Sequence, residues 1–157
     1  MQIGGNTSIY NPTGLNDILS YRYGQNVEGN DDYSTSNYGL SYSIPYGYYT
    51  FSINKYHNEF EQMIPSIVPF KSSGQTDTLD FGVQRVIFRD QTRKTQLSLK
   101  ILQKEIHNYI NDTEIEVQRQ ETTAYQIGII HRQYFGQTVL DGMLSKKECR
   151  GWVRNRG

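Results

Sequence analysis

Cysteine, tryptophan and proline are nearly missing from this chain of 157 residues, at one, one and four copies. A lone Cys149 has no partner within the chain, so neither a disulfide framework nor a dithiol redox pair is available. Long hydrophobic runs are missing too. No stretch approaches the roughly 18 apolar residues of a membrane-crossing helix, and a helical period is nowhere sustained. The opening "MQIGGNTSIY" lacks the basic start and apolar run of a signal peptide. Net charge is zero, 16 basic residues against 16 acidic ones, with no basic stretch, which argues against a nucleic-acid partner. The histidines at 57, 107 and 131 have no Cys or His at ligand spacing, so no metal is expected. Phosphate-loop, GxSxG and HExxH patterns are absent. Neither an enzyme, a cofactor nor a small-molecule substrate is expected.

What the chain has in abundance is tyrosine and glycine, 13 and 14 residues, arranged in strict alternation. "NYGLSYSIPYGYYTFSINKY" places Tyr38, Leu40, Tyr42 and Ile44 on one side of an extended strand and Gly39, Ser41 and Ser43 on the other. Leu19, Tyr21 and Tyr23 oppose Ser20, Arg22 and Gly24. Tyr49, Phe51 and Ile53 oppose Thr50, Ser52 and Asn54. The same pattern recurs with Leu79, Phe81 and Val83, with Leu97, Leu99 and Ile101, and with Tyr125, Ile127 and Ile129. Period 2 predicts about eight strands, at Gln2–Tyr10, Ile18–Gly24, Tyr38–Ile44, Tyr48–His57, Thr78–Phe88, Lys94–Lys104, Gln120–Arg132 and Thr138–Leu144. One irregularity stands out. After Val83 the apolar positions change phase to Val86 and Phe88, which predicts a bulge near Gln84 and Arg85.

Connections alternate between short turns ("NPTGLND", "PYGY", "RDQTRK", "YFGQ") and longer polar stretches at 25–37, 58–77 and around 107–117. Tight turns on one side and long loops on the other are the asymmetry of an outer-membrane barrel. Tyr10, Tyr46, Tyr48, Tyr49, Phe88, Tyr134 and Phe135 flank the short turns, where an interfacial girdle would lie. Alternation by itself leaves the solvent open, since a soluble sandwich also has one apolar face. A soluble, tyrosine-rich binding module and a passive porin or autotransporter channel therefore stand beside the barrel as readings.

The blocks "NPTGLND", "YSIPYGYYTFSIN", "LDFGVQRVIFRDQTRKTQLSLKI", "NYINDTEIEVQRQ" and "IIHRQYFGQTVLD", in this order, resemble the N-terminal half of the barrel of two-partner secretion transporters. These are the hemolysin secretion/activation proteins of the ShlB/FhaC/HecB type, in the Omp85 superfamily. The resemblance implies an all-β, antiparallel transmembrane β-barrel fragment, about eight strands of a barrel of about sixteen. It also implies an outer-membrane location and a secreted exoprotein as partner, hemolysin-like or a contact-dependent-inhibition toxin, that threads the pore unfolded. By strand parity the pore-lining candidates are Arg22, Ser41, Ser43, Ser52, Asn54, Asp80, Gln84, Ser98, Lys100 and Gln126, with Ser20 beside them. The family's periplasmic domains, plug helix and inward loop have no counterpart in these residues, so the chain is not expected to form a pore by itself. Residues 1–144 read as partial barrel. In 145–157, "SKKECRGWVRNRG", the alternation breaks at Lys146, Lys147 and Glu148, and an aberrant or disordered tail is expected there.

Overall fold

The computed structural model describes residues 2–27, 33–65, 67, 69–136 and 138–152. They form one antiparallel meander: β1 (Gln2–Tyr10), β2 (Ile18–Val27), β3 (Tyr33–Tyr46), β4 (Tyr49–Ile64), β5 (Phe70–Arg89), β6 (Arg93–Ile110), β7 (Thr113–Glu114), β8 (Gln120–Phe135) and β9 (Thr138–Trp152). Each long strand pairs with the next, and the two-residue β7 folds back on β6. A single 3-10 turn, Glu116–Gln118, precedes β8. β1 and β9 are the two edges of the sheet. All eight expected strands are present, and the transmembrane β-barrel fragment is the fold class.

The short turns hold the strands in register by local chemistry. Gly47 takes a positive φ of 59° at the first central position of the β3–β4 hairpin, which matches the right-handed twist of the flanking strands. In "NPTGLND", Asn11, Gly14 and Asn16 all take positive φ, and the Asn11 side chain accepts a hydrogen bond from the Asn16 amide at 2.8 Å.

Away from the short turns the strands run further than periodicity suggests. β5 has 20 residues and β6 has 18, about twice the 9–11 needed to cross a bilayer. Much of 25–37, 58–77 and 107–117, expected as loop, is paired strand. Once a hairpin clears the hydrocarbon, water can meet both faces. Backbone pairing then continues while the apolar alternation stops, so the pattern mimics a loop.

The strand expected to end at Leu144 runs on through residues 145–152. β9 stays paired with β8 as far as Glu121 opposite Trp152, and residues 153–157 lie outside those described. The predicted bulge exists but sits two residues later, between Val86 and Phe88. Arg85 therefore keeps its place in the alternation, opposite Tyr49 and Leu97.

Large and small side chains interlock across the strands. Tyr56 lies against Gly39 and Phe60 against Gly74, where an added Cβ would collide with the respective ring. What is missing among the described residues is a hydrophobic core. Ala124 is the one buried hydrophobic side chain, so the apolar residues must find their partner outside the chain.

Candidate functional site

The register sorts the side chains into two faces. One cross-strand row runs Ile44, Phe51, Val83, Leu99, Ile127; the next runs Leu19, Tyr42, Ile53, Phe81, Ile101, Tyr125. Between these rows, on the opposite face, lie Ser43, Ser52, Gly82, Lys100 and Gln126. Ser41, Asn54 and Asp80 form the row above, Gln84 and Ser98 the row below, and Arg22 stands beside Gly39. All ten pore-lining candidates thus share one face.

Exposure differs between the faces in the sense opposite to a water-soluble protein. Leu99 is 48 % exposed and its cross-strand partner Ile127 50 %, while Ser98, next to Leu99 in β6, is 5 %. Polar side chains that are more crowded than their apolar neighbours indicate a sheet curled toward its polar side. Hydrogen bonds knit that inner face across strands: Ser41 Oγ donates to Asn54, whose Nδ2 donates to Asp80. Near the β8–β9 turn, Arg132 grips Asp141 through two bonds of 2.6 and 3.0 Å.

On the outer face the apolar stretch slides along the strands. In β2 it centres on Tyr21, whose row continues through Leu40, Lys55, Leu79, Gln103 and Thr123 to Arg150. In β9 it centres instead on Gly142, between Leu140 and Leu144, eight residues nearer the turn. Eight residues at about 3.3 Å, over six strand steps of about 4.8 Å, give a slope of roughly 40°, the tilt that barrel strands adopt against the membrane normal. Lys146 and Glu148, which break the alternation in sequence, and Arg150 beyond them are therefore the part of β9 that has already left the apolar band.

The expected girdle is split by register. Tyr46, Tyr49 and Phe88 lie on the apolar face, but Tyr10 and Tyr134 lie on the polar one. Beyond the band at the far end, outer-face residues turn polar. His57 stacks on Tyr38 with ring centroids 4.7 Å apart, and its Nδ1 lies 2.8 Å from Asp77. His107 pairs with Glu114 at 2.8 Å. Lys71 reaches Glu61 at 2.9 Å and Asp112 at 3.3 Å. His57 and Asp77 lie 20 positions apart and Lys71 and Asp112 lie 41 apart, and only the strand register reveals such pairs.

Asp17, at the end of the β1–β2 turn, is the most enclosed side chain among the described residues and was not singled out in sequence. Its carboxylate accepts hydrogen bonds from the Tyr42 hydroxyl at 2.9 Å and the Thr13 amide at 3.2 Å. Burial by its own turn pushes the carboxyl pKa up, but the bonds from Tyr42 and Thr13 outweigh this and hold it below the ordinary aspartate value. The ionised form thus clamps the turn to β3. Among the described residues no cluster of three metal-ligating side chains occurs, and no helix is long and apolar enough to cross a membrane.

The model of the haemolysin secretion/activation protein family ShlB/FhaC/HecB matches residues 1–157. This chain belongs to that family. It is 31 % identical over 156 residues to the outer membrane transporter CdiB-2 of Burkholderia pseudomallei strain 1026b, covering 97 % of this chain and 27 % of the relative. To the hemolysin transporter protein HpmB of Proteus mirabilis it is 28 % identical, covering 94 % and 26 %. Among solved structures, CdiB from Acinetobacter baumannii superposes with a TM-score of 0.86 at 31 % identity, over 96 % of this chain and 29 % of that one. CdiB from Escherichia coli gives 0.84 at 26 % identity, over 96 % and 28 %. The chain thus spans about a quarter of the length of these relatives. Like the outer membrane transporters it matches, the chain is located in the outer membrane.

Proposed function

We propose that this sheet is one section of the wall of an outer-membrane pore through which a secreted exoprotein crosses in extended form. The short turns face the periplasm and the long hairpins the exterior. The observation that carries this is the inversion of the two faces: rings and branched aliphatics exposed, small polar side chains crowded inside. Arg22, Ser41, Ser43, Ser52, Asn54, Asp80, Gln84, Ser98, Lys100 and Gln126 would line the conduit. Short, hydrogen-bonded hydroxyls and amides offer a passing backbone weak, exchangeable partners and no apolar surface on which to stall. In this reading the chain guides a polypeptide and catalyses nothing, and its partner is a hemolysin-like or contact-dependent-inhibition protein, as the relatives' names suggest. A soluble binding module is disfavoured, because Phe51, Phe81, Leu99, Ile101, Ile127 and Ile129 would then lie at about half exposure in water with nothing to cover them.

Single cysteines placed in a Cys149→Ser background test the assignment. In lipid vesicles, Ser52→Cys and Asn54→Cys should react with a membrane-impermeant maleimide, while Phe51→Cys and Ile53→Cys should not. Equal labelling at all four positions would refute a lipid-facing apolar side.

A further inference from the structure

On the apolar face, near the short-turn end, the bulge between Val86 and Phe88 opens a groove of about 430 Å³ whose lining includes Tyr48, Tyr49, Arg85, Ile87 and Phe88. Arg85 interrupts a row otherwise made of rings and aliphatics, Tyr46, Tyr49, Leu97, Ile129 and Leu144. Its guanidinium lies over the Tyr49 ring at 5.3 Å. On the far side of the bulge Arg93 lies over Phe88 at 5.7 Å. Among the described residues no carboxylate pairs with Arg85, and Arg93 has a loose contact of 3.8 Å with Asp90. Two guanidinium ions at the edge of an apolar band, with one loose acid contact between them, call for an anion from outside the chain.

We propose that this groove binds the phosphate of an anionic membrane phospholipid. Resting on the lipid-facing reading of this face, it places Arg85 and Arg93 on the lipid side, towards the headgroups of the periplasmic leaflet. The planar guanidinium fork matches phosphate oxygens in pairs. Tyr49 fixes the plane of Arg85, and rings at this depth suit the interface. Ile87 and Phe88, 53 % and 49 % exposed, give the glycerol and upper acyl carbons an apolar wall, which free phosphate in water would not need. The bulge is what makes room: it turns the end of β5 and brings Phe88 back to the outer face opposite Thr95.

The test is native mass spectrometry of the full chain folded in detergent micelles, titrated with phosphatidylglycerol, phosphatidylcholine or inorganic phosphate. Phosphatidylglycerol should be retained in preference to phosphatidylcholine and should resist displacement by inorganic phosphate. Arg85→Gln combined with Arg93→Gln should weaken its retention about tenfold, and Lys55→Gln at the opposite edge of the band should leave it unchanged. The site is overturned by equal retention of the two lipids, by displacement by inorganic phosphate, or by retention unaffected in the double variant when its β-sheet circular dichroism matches the parent. A chain that forms no β-structure in detergent would instead overturn the lipid-facing reading itself.

Discussion

β3 and β9 lie in the same sheet and share the same rows, yet they present their apolar residues at different heights. Ile44 on β3 stands in the row that ends at Lys146 on β9, and Tyr42 in the row that ends at Glu148. Read as flat rows, β9 places charge where its neighbours place hydrocarbon. Read as tilted strands, the two agree: the band runs obliquely through the sheet, and β9 crosses it earlier in its course, at Leu140 to Leu144. A residue's depth is therefore a property of strand number and register together, and the charged end of β9 is ordinary strand emerging into water.

The largest effect should come from setting the same charge at the two heights. Leu99→Lys or Ile127→Lys, within the band, should lower folding stability in lipid vesicles by about 2–4 kcal/mol in a urea titration. Lys146→Leu, one strand away in the same row as Ile127, should change it by less than about 0.5 kcal/mol. Equal losses at 127 and equal gains at 146 would mean that the band does not slope.

An intermediate, local effect is expected at the clamp below the band. Because the Asp17 carboxyl titrates lower in the folded chain than in the unfolded one, its contribution is present above the ordinary aspartate pKa. It is lost as pH falls through the depressed folded value. Tyr42→Phe removes one of the bonds that depress it, so amide exchange at Asn11 and Thr13 should quicken at neutral pH and become less dependent on acid. Unchanged protection in that variant would show that the turn holds without the clamp. The smallest effect belongs above the band, where water reaches the strands: Asp77→Asn should cost less than about 1 kcal/mol, since its pair with His57 is only partly shielded.

Sequence and structure divide unevenly at particular residues. The two faces were legible because a side-chain period of two follows from strand geometry alone, and Arg22, Ser52, Asp80 and Lys100 fall on one side by counting. Strand ends were legible at the short turns, where Asn11, Gly14 and Gly47 demand special backbone angles, but not at the far ends, where water removes the apolar signal while pairing continues. The position of the bulge was missed by two residues, because a change of phase between Val83 and Phe88 can be absorbed at several places and cross-strand partners select one. The contacts of Asp17 with Tyr42 and of His57 with Asp77 left no local trace, since each joins residues 25 and 20 positions apart.

The amino-acid order by itself determined that this chain makes antiparallel strands with one apolar and one polar side, because alternation and turn chemistry act over neighbouring residues. Only the tertiary structure decided which rows lie at which depth, and with them the fate of Lys146, the place of Arg85 and the enclosure of Asp17. Depth depends on how each strand is staggered against the next, and stagger is fixed by backbone hydrogen bonds between segments that the chain order does not bring together.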